Sequence, residues 1–89
     1  MDDRKFKVYE EESGGVVFYD MALIAYLMVE GHRLRGTKMR GEKLFFIFED
    51  DETLQKDALN FFNNKALVNP VAFSNCIKQI KGAVSRGGL

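Results

Sequence analysis

A short apolar run closed by acidic residues constrains this chain most: residues 43–50 have the sequence Lys-Leu-Phe-Phe-Ile-Phe-Glu-Asp. The run is too short for an independent helix and is rich in strand-forming residues, so it predicts a β-strand. Because side chains alternate across a strand, Phe45 and Ile47 point to one face of the sheet, and Phe46 and Phe48 point to the other. Both faces are apolar and both require cover, which places this strand inside a sheet.

The surrounding sequence predicts a small α+β domain with an antiparallel sheet. A central hairpin is predicted at about 32–49, with its first strand at 32–38 and its turn at 39–42, where Gly41 can supply a positive φ. Further short strands are predicted at 6–9 and 16–19. The second of these either pairs back as a hairpin or is a buried segment leading into the first helix.

Three helices are predicted at about 20–31, 52–63 and 70–85. Asp20 and the pair Asp50-Asp51 are good N-caps, and Asn69-Pro70 combines an N-cap with proline at the first helical position. The connector at 66–68 is apolar and is expected to pack against the core. On the third helix, the apolar side is predicted to consist of Phe73, Cys76, Ile77, Ile80 and Val84.

The first helix is apolar on every side, which predicts that other helices or a partner chain cover it completely. A single small sheet covers only one side of such a helix. The predicted core of the domain consists of Leu23, Ile24, Tyr26, Leu27, Phe46, Phe48, Leu54, Ala58, Phe62, Phe73, Ile77 and Ile80.

Length and composition indicate one domain over residues 1–89, with 1–7 and 86–89 expected to be flexible. The formal net charge is zero, which argues against a protein that binds nucleic acid by overall charge alone. The single cysteine, Cys76, requires no oxidising compartment, and no apolar run approaches the roughly 20 residues of a membrane span. We therefore expect a cytoplasmic protein without membrane contact.

The sequence contains no pattern typical of a catalytic or metal site. His32 is the only histidine and is interpreted as an ordinary residue at the start of a strand, and Cys76 as a small buried apolar residue. The acids at 49–52 lack the spacing of a calcium loop, and helix capping explains Asp50 and Asp51. We expect no enzyme activity, no cofactor and no metal.

Basic residues concentrate on the predicted hairpin: Arg33, Arg35, Lys38, Arg40 and Lys43. A basic two-stranded ribbon can follow phosphates or enter a groove, and Lys78, Lys81 and Arg86 would extend the patch if the third helix packs nearby. Positive charge on an edge strand also prevents aggregation between sheets. This second interpretation is preferred, because no aromatic residue is interleaved with the basic ones to stack on bases.

The chain is unusually apolar for its length, which favours an interface as well as a core. An isologous homodimer or a groove for another protein would cover the excess. The candidate interface residues are Met21, Met28, Phe45, Ile47 and Phe61.

Two stretches resemble a known family. Residues 18–32 contain Leu-Ile-Ala-Tyr-Leu-Met followed by Gly31 and His32. Residues 46–50 lead into Leu54 and Phe61-Phe62-Asn63, and Val68-Asn69-Pro70 is followed by Phe73. Over about residues 18–84 the chain resembles the phage and bacterial family catalogued as domain of unknown function 5659. The resemblance implies a phage or mobile-element origin, hence the cytoplasm of a bacterial host, and supplies no catalytic residues.

Together these patterns predict a small non-catalytic binding protein that acts through protein contacts and self-association. Its partners would be a second copy of itself and an unknown protein. The alternative is an accessory protein that binds nucleic acid through the basic hairpin at 33–43.

Overall fold

The computed structural model describes residues 9–10 and 15–89, which form a four-stranded antiparallel sheet and three helices. The strands are β1 (Tyr9–Glu10), β2 (Gly15–Phe18), β3 (Leu34–Arg40) and β4 (Lys43–Glu49), in the spatial order β1-β2-β4-β3. The helices are α1 (Met21–Val29), α2 (Glu52–Phe62) and α3 (Pro70–Arg86). The predicted α+β class is confirmed. Apart from Tyr9, the predicted strand at 6–9 lies outside the described residues, as does the segment 1–7.

The apolar run at 43–50 is an inner strand of the sheet. β4 pairs with β2 on one side, where Val16 is opposite Phe48, and with β3 on the other. Leu44, Phe46 and Phe48 are buried under the helices, whereas Phe45 and Ile47 lie on the opposite face. The lead-in to α1 is therefore a strand of the main sheet, and the inner-strand prediction is confirmed.

The hairpin between β3 and β4 has a tighter turn than predicted. Met39 and Arg40 belong to β3, and Arg40 pairs directly with Lys43, so the turn consists of two residues only. A positive φ of 63° at Gly41 makes this possible, since two-residue hairpin turns accept glycine at their first position. The prediction of a four-residue turn at 39–42 was wrong because pairing continues up to the glycine. A bulge near Arg35 shifts the register between Leu34 and Gly36.

Helix α1 is buried on all sides, as its composition predicts. Five consecutive residues, Leu23 to Leu27, are buried, and they join one core cluster with the sheet, α2 and α3. The Asp20 side chain accepts a hydrogen bond of 2.9 Å from the Leu23 N–H, which confirms the predicted N-cap. Helices α2 and α3 of the same chain therefore bury the sides of α1 that the sheet does not cover.

The predicted caps of α2 and α3 are also confirmed, with Asp51 accepting from the Leu54 N–H at 2.8 Å and Asn69 from the Val71 N–H at 2.9 Å. The Thr53 hydroxyl and the Leu54 N–H both donate to Asp51 and lower the pKa of its carboxyl. The acids after β4 thus begin a helix. No helix within residues 9–10 and 15–89 is long and apolar enough to cross a membrane.

The core contains most of the predicted residues, with several additions and two corrections. Val16, Phe18, Ala25, Leu44 and Ala83 were not predicted and are buried. The prediction for Val84 was wrong: its side chain is 49% exposed, and Ala83 faces the core in its place. The predicted packing of the whole 66–68 connector was also wrong for Leu67, which is 88% exposed, because only its neighbours Ala66 and Val68 contact the core.

Candidate functional site

The sheet face turned away from the helices combines aromatic and basic side chains, and we call it the outer face. Register and alternation place Lys43, Phe45, Ile47 and Glu49 of β4 on the same face. The full set that defines the outer face is Val17, Tyr19, Arg35, Lys38, Arg40, Lys43, Phe45, Ile47 and Glu49. Val17 is 0% exposed, so the part of this face that is open to solvent lies toward Tyr19, Lys38 and Lys43.

Two aromatic rings lie side by side on the outer face, each accompanied by a cation. The centroids of Tyr19 and Phe45 are 5.0 Å apart, with their planes at 37°. The Arg40 guanidinium carbon lies 5.3 Å from the Phe45 centroid, and the Lys43 Nζ lies 5.2 Å from the Tyr19 centroid. Cations at this distance are attracted to the ring quadrupole. The outer face therefore carries two aromatic rings in tilted contact, each with a cation over its face.

The prediction that no aromatic accompanies the basic hairpin was wrong. Phe45 shares a face with Lys43 because it lies two residues further along the same strand. Tyr19 comes from the segment after β2, which reaches the hairpin only because β2 pairs with β4. The shared face of Phe45 and Lys43 could be predicted from the sequence, whereas the approach of Tyr19 to the hairpin depended on the strand order.

The outer face requires glycine at position 15, where β2 begins opposite the end of β4. A Cβ at Gly15 would lie 2.7 Å from a methyl carbon of Ile47 and 3.7 Å from the Arg35 side chain. Glycine therefore lets β2 approach β4 closely. The Arg35 guanidinium lies 3.9 Å from the Glu49 carboxylate, and both side chains are partly exposed, so solvent screens this contact.

The structure brings together four of the five basic residues that the sequence singled out. Arg35, Lys38, Arg40 and Lys43 share the outer face, whereas Arg33 is an exposed residue that precedes β3. The Arg33 carbonyl accepts a hydrogen bond from the Glu49 N–H, which holds the end of the hairpin.

Helix α3 packs on α1 and does not extend the basic patch. Two grooves of about 420 and 370 Å³ flank it on the helical side of the sheet. Lys78 and Arg86 line the smaller groove together with Met28, Leu34 and the inner-face residue Phe46. The cations of α3 are therefore separated from the outer face by the sheet.

The five candidate interface residues are not brought together on one surface. Met21, Met28 and Phe61 pack against the core on the helical side. Phe45 and Ile47 lie on the outer face and are only partly buried.

A histidine–carboxylate pair lies at the other end of the domain. His32 Nε2 is 2.6 Å from Asp57 Oδ2, and the two side chains are 6% and 21% exposed. Burial raises the pKa of the nearby Tyr26 hydroxyl, and the negative charges of Glu30 and Asp57 add to the effect. No local pattern pointed to Asp57, which lies 25 positions from His32 in the chain. The pair connects α2 to the segment that enters β3.

We expect Asp57→Ala to lower the free energy of unfolding by about 1–3 kcal/mol, because His32 then has a buried ring nitrogen without its partner. Asp57→Asn keeps a hydrogen-bonding group in place and should lose less. Urea unfolding of both variants measures the difference. Equal stability of the alanine variant and the unmodified chain would contradict a connecting role for the pair.

Within the described part of the chain, no three His, Cys, Asp or Glu side chains are grouped so as to hold a metal ion. Cys76 is a half-buried free thiol on α3.

Comparison with known proteins identifies the family. The model of the family described as Domain of unknown function (DUF5659) matches residues 16–86, which include β2, the hairpin and all three helices. The chain belongs to this family. The matched region of the DUF5659 protein contains the whole outer face from Val17 to Glu49. No curated protein and no solved structure matches the chain.

Proposed function

We propose that this DUF5659 protein is a non-catalytic module that binds nucleic acid through the outer face. The observation that carries the proposal is the pairing of Phe45 with Arg40 and of Tyr19 with Lys43. Nucleic acids present flat bases and negative phosphates at regular spacing, and proteins recognise them with aromatic platforms and cations. The outer face offers both groups on one surface.

The cations that lie over the rings do not prevent a base from stacking there. An exposed cation–π contact contributes about 0.5–1 kcal/mol, whereas a base stacked on an aromatic ring contributes about 1–3 kcal/mol. Lys43 is exposed, and its side chain is long and flexible. A base can therefore displace the Lys43 ammonium from the Tyr19 ring, and the ammonium then pairs with an adjacent phosphate.

Because the net charge of the chain is zero, attraction of nucleic acid depends on the local charges of the outer face. Attraction is local, since it comes from Arg35, Lys38, Arg40 and Lys43, with the acidic Glu49 at one end of the same face. Local charge is screened beyond roughly 10 Å at 0.1 M salt. We therefore expect moderate affinity that falls steeply as salt is raised.

The test is a titration of a fluorescein-labelled 12-nucleotide strand with the full chain, followed by fluorescence anisotropy between about 25 and 200 mM salt. If the outer face contacts three or four phosphates, the slope of log K against log salt should be about −2 to −3. Absence of binding at the lowest salt would contradict the proposal.

The second candidate function is contact with protein, including self-association, and a different surface favours it. Leu67 and Val71 are 88% and 67% exposed where the connector enters α3. Neighbouring exposed apolar side chains are typical of contact surfaces. Sedimentation should then show a dimer at tens of micromolar that Leu67→Asp abolishes. A monomer throughout would contradict self-association.

As part of the same proposal, we assign the protein a phage or mobile-element origin, which the family resemblance implies, and a location in the cytoplasm, where it would meet nucleic acid.

A further inference from the structure

We infer that the outer face selects single-stranded nucleic acid over duplex, with unpaired bases stacking on Phe45 and Tyr19. This inference rests on the proposed function and names the class of ligand. The two rings are adjacent, with centroids 5.0 Å apart, and Tyr19 is 49% exposed. A platform of this kind contacts the flat face of a base. In a duplex those faces are covered by neighbouring base pairs, so only unpaired bases can use it.

The position of the cations supports the same conclusion. Arg40 and Lys43 pair across the last step of the hairpin before its turn, and each contacts one of the two rings. A strand that places successive bases on the two rings would have its phosphates beside these two cations. The sheet face thus fits a short single-stranded segment that alternates stacking with phosphate contact.

The chemistry of the platform predicts tolerance for base sequence. Rings stack on any base because every base has a π-face, so the stacking part of the recognition is independent of base identity. Single strands of DNA and RNA both present unpaired bases and phosphates, so we expect both to bind.

The experiment measures the affinity of the full chain for five labelled 12-mers at 50 mM salt. These are oligo-dT, oligo-rU, a DNA duplex and an RNA duplex of matched length, and an abasic strand that keeps the sugar–phosphate backbone without bases. We expect each single strand to bind at least 10-fold more tightly than its duplex, and oligo-dT to exceed the abasic strand by the same factor. The inference requires oligo-dT and oligo-rU each to bind more tightly than its own duplex.

Two variants examine the rings themselves. Tyr19→Leu and Phe45→Leu should each weaken oligo-dT binding by about 5-fold or more and leave abasic binding unchanged, because one stacked base is lost. Tyr19→Phe keeps the ring and should keep the affinity. Circular dichroism establishes that each variant is folded, and Tyr19 is exposed enough for substitution to be tolerated.

Failure of the inference is distinct from failure of the proposed function. If duplex or abasic strands bind as tightly as oligo-dT, stacking is excluded and the proposed function stands on phosphate contacts. If none of the five strands binds, both are overturned.

Discussion

Replacing Arg35, Arg40 and Lys43 together by glutamine should lower the affinity for a 12-nucleotide single strand by about 100-fold at 0.1 M salt. Each phosphate contact on a single strand contributes about 0.7 to the salt exponent, so three contacts account for roughly this factor. The slope of log K against log salt should become shallower by about 2. Glutamine keeps most of the side-chain length, so the change removes charge with little loss of packing.

A matched variant on the opposite side of the domain serves as control. Lys78, Lys81 and Arg86 of α3 changed to glutamine remove the same three charges, and Lys78 and Arg86 line a groove on the helical side. We expect this variant to retain most of the affinity and slope. Equal losses in the two variants would show that overall charge, and no particular face, determines binding.

Phe48→Ala should lower the free energy of unfolding by about 3–5 kcal/mol, the cost typical of truncating a fully buried phenylalanine. Phe48 is 0% exposed and packs edge to face against Phe18, with centroids 5.9 Å apart. For an 89-residue chain the total stability is on the order of 4–13 kcal/mol, so much of it would be lost. Differential scanning calorimetry should show a fall in Tm of roughly 20 °C.

Phe45→Ala is the natural comparison, because it makes the same change three residues earlier on the same strand. Phe45 lies on the outer face and is only partly buried, so its loss should destabilise the fold by less than half as much. It should instead weaken binding of oligo-dT. If the two alanine variants were equally destabilised, the assignment of inner and outer faces would be wrong.

The elements of this fold could be predicted from the sequence because their signals are local. Asp20, Asp51 and Asn69 cap the three helices as predicted, since capping depends on the few residues that follow. The all-apolar composition of α1 correctly predicted that other helices cover it. The alternation of Phe45, Phe46, Ile47 and Phe48 gave the two faces of β4 directly.

The arrangement of the site could not be predicted in the same way, because it depends on contacts between distant segments. Tyr19 reaches Phe45 only because β2 lies beside β4, and local sequence does not determine strand order. The contact between His32 and Asp57 likewise requires the packing of α2 against the start of β3. Phe45 itself was visible as an outer-face aromatic next to Lys43, and the significance of this pair became clear only with Tyr19 beside it.

The run at 43–50 therefore has two separate roles. Its inner side chains build the core, and its outer side chains contribute four of the nine residues of the outer face. Glu49 still belongs to β4, and Asp51, directly after the run, caps α2.

Binding through the outer face is tested most directly by a ¹H–¹⁵N NMR titration of the full chain with oligo-dT. We expect the amide signals of Lys38, Phe45 and Ile47 to shift progressively, along with those of their neighbours on β2, while signals in the middle of α2 and α3 stay in place. Shifts confined to α2 and α3, or no shifts at millimolar oligonucleotide and low salt, would contradict binding through the outer face.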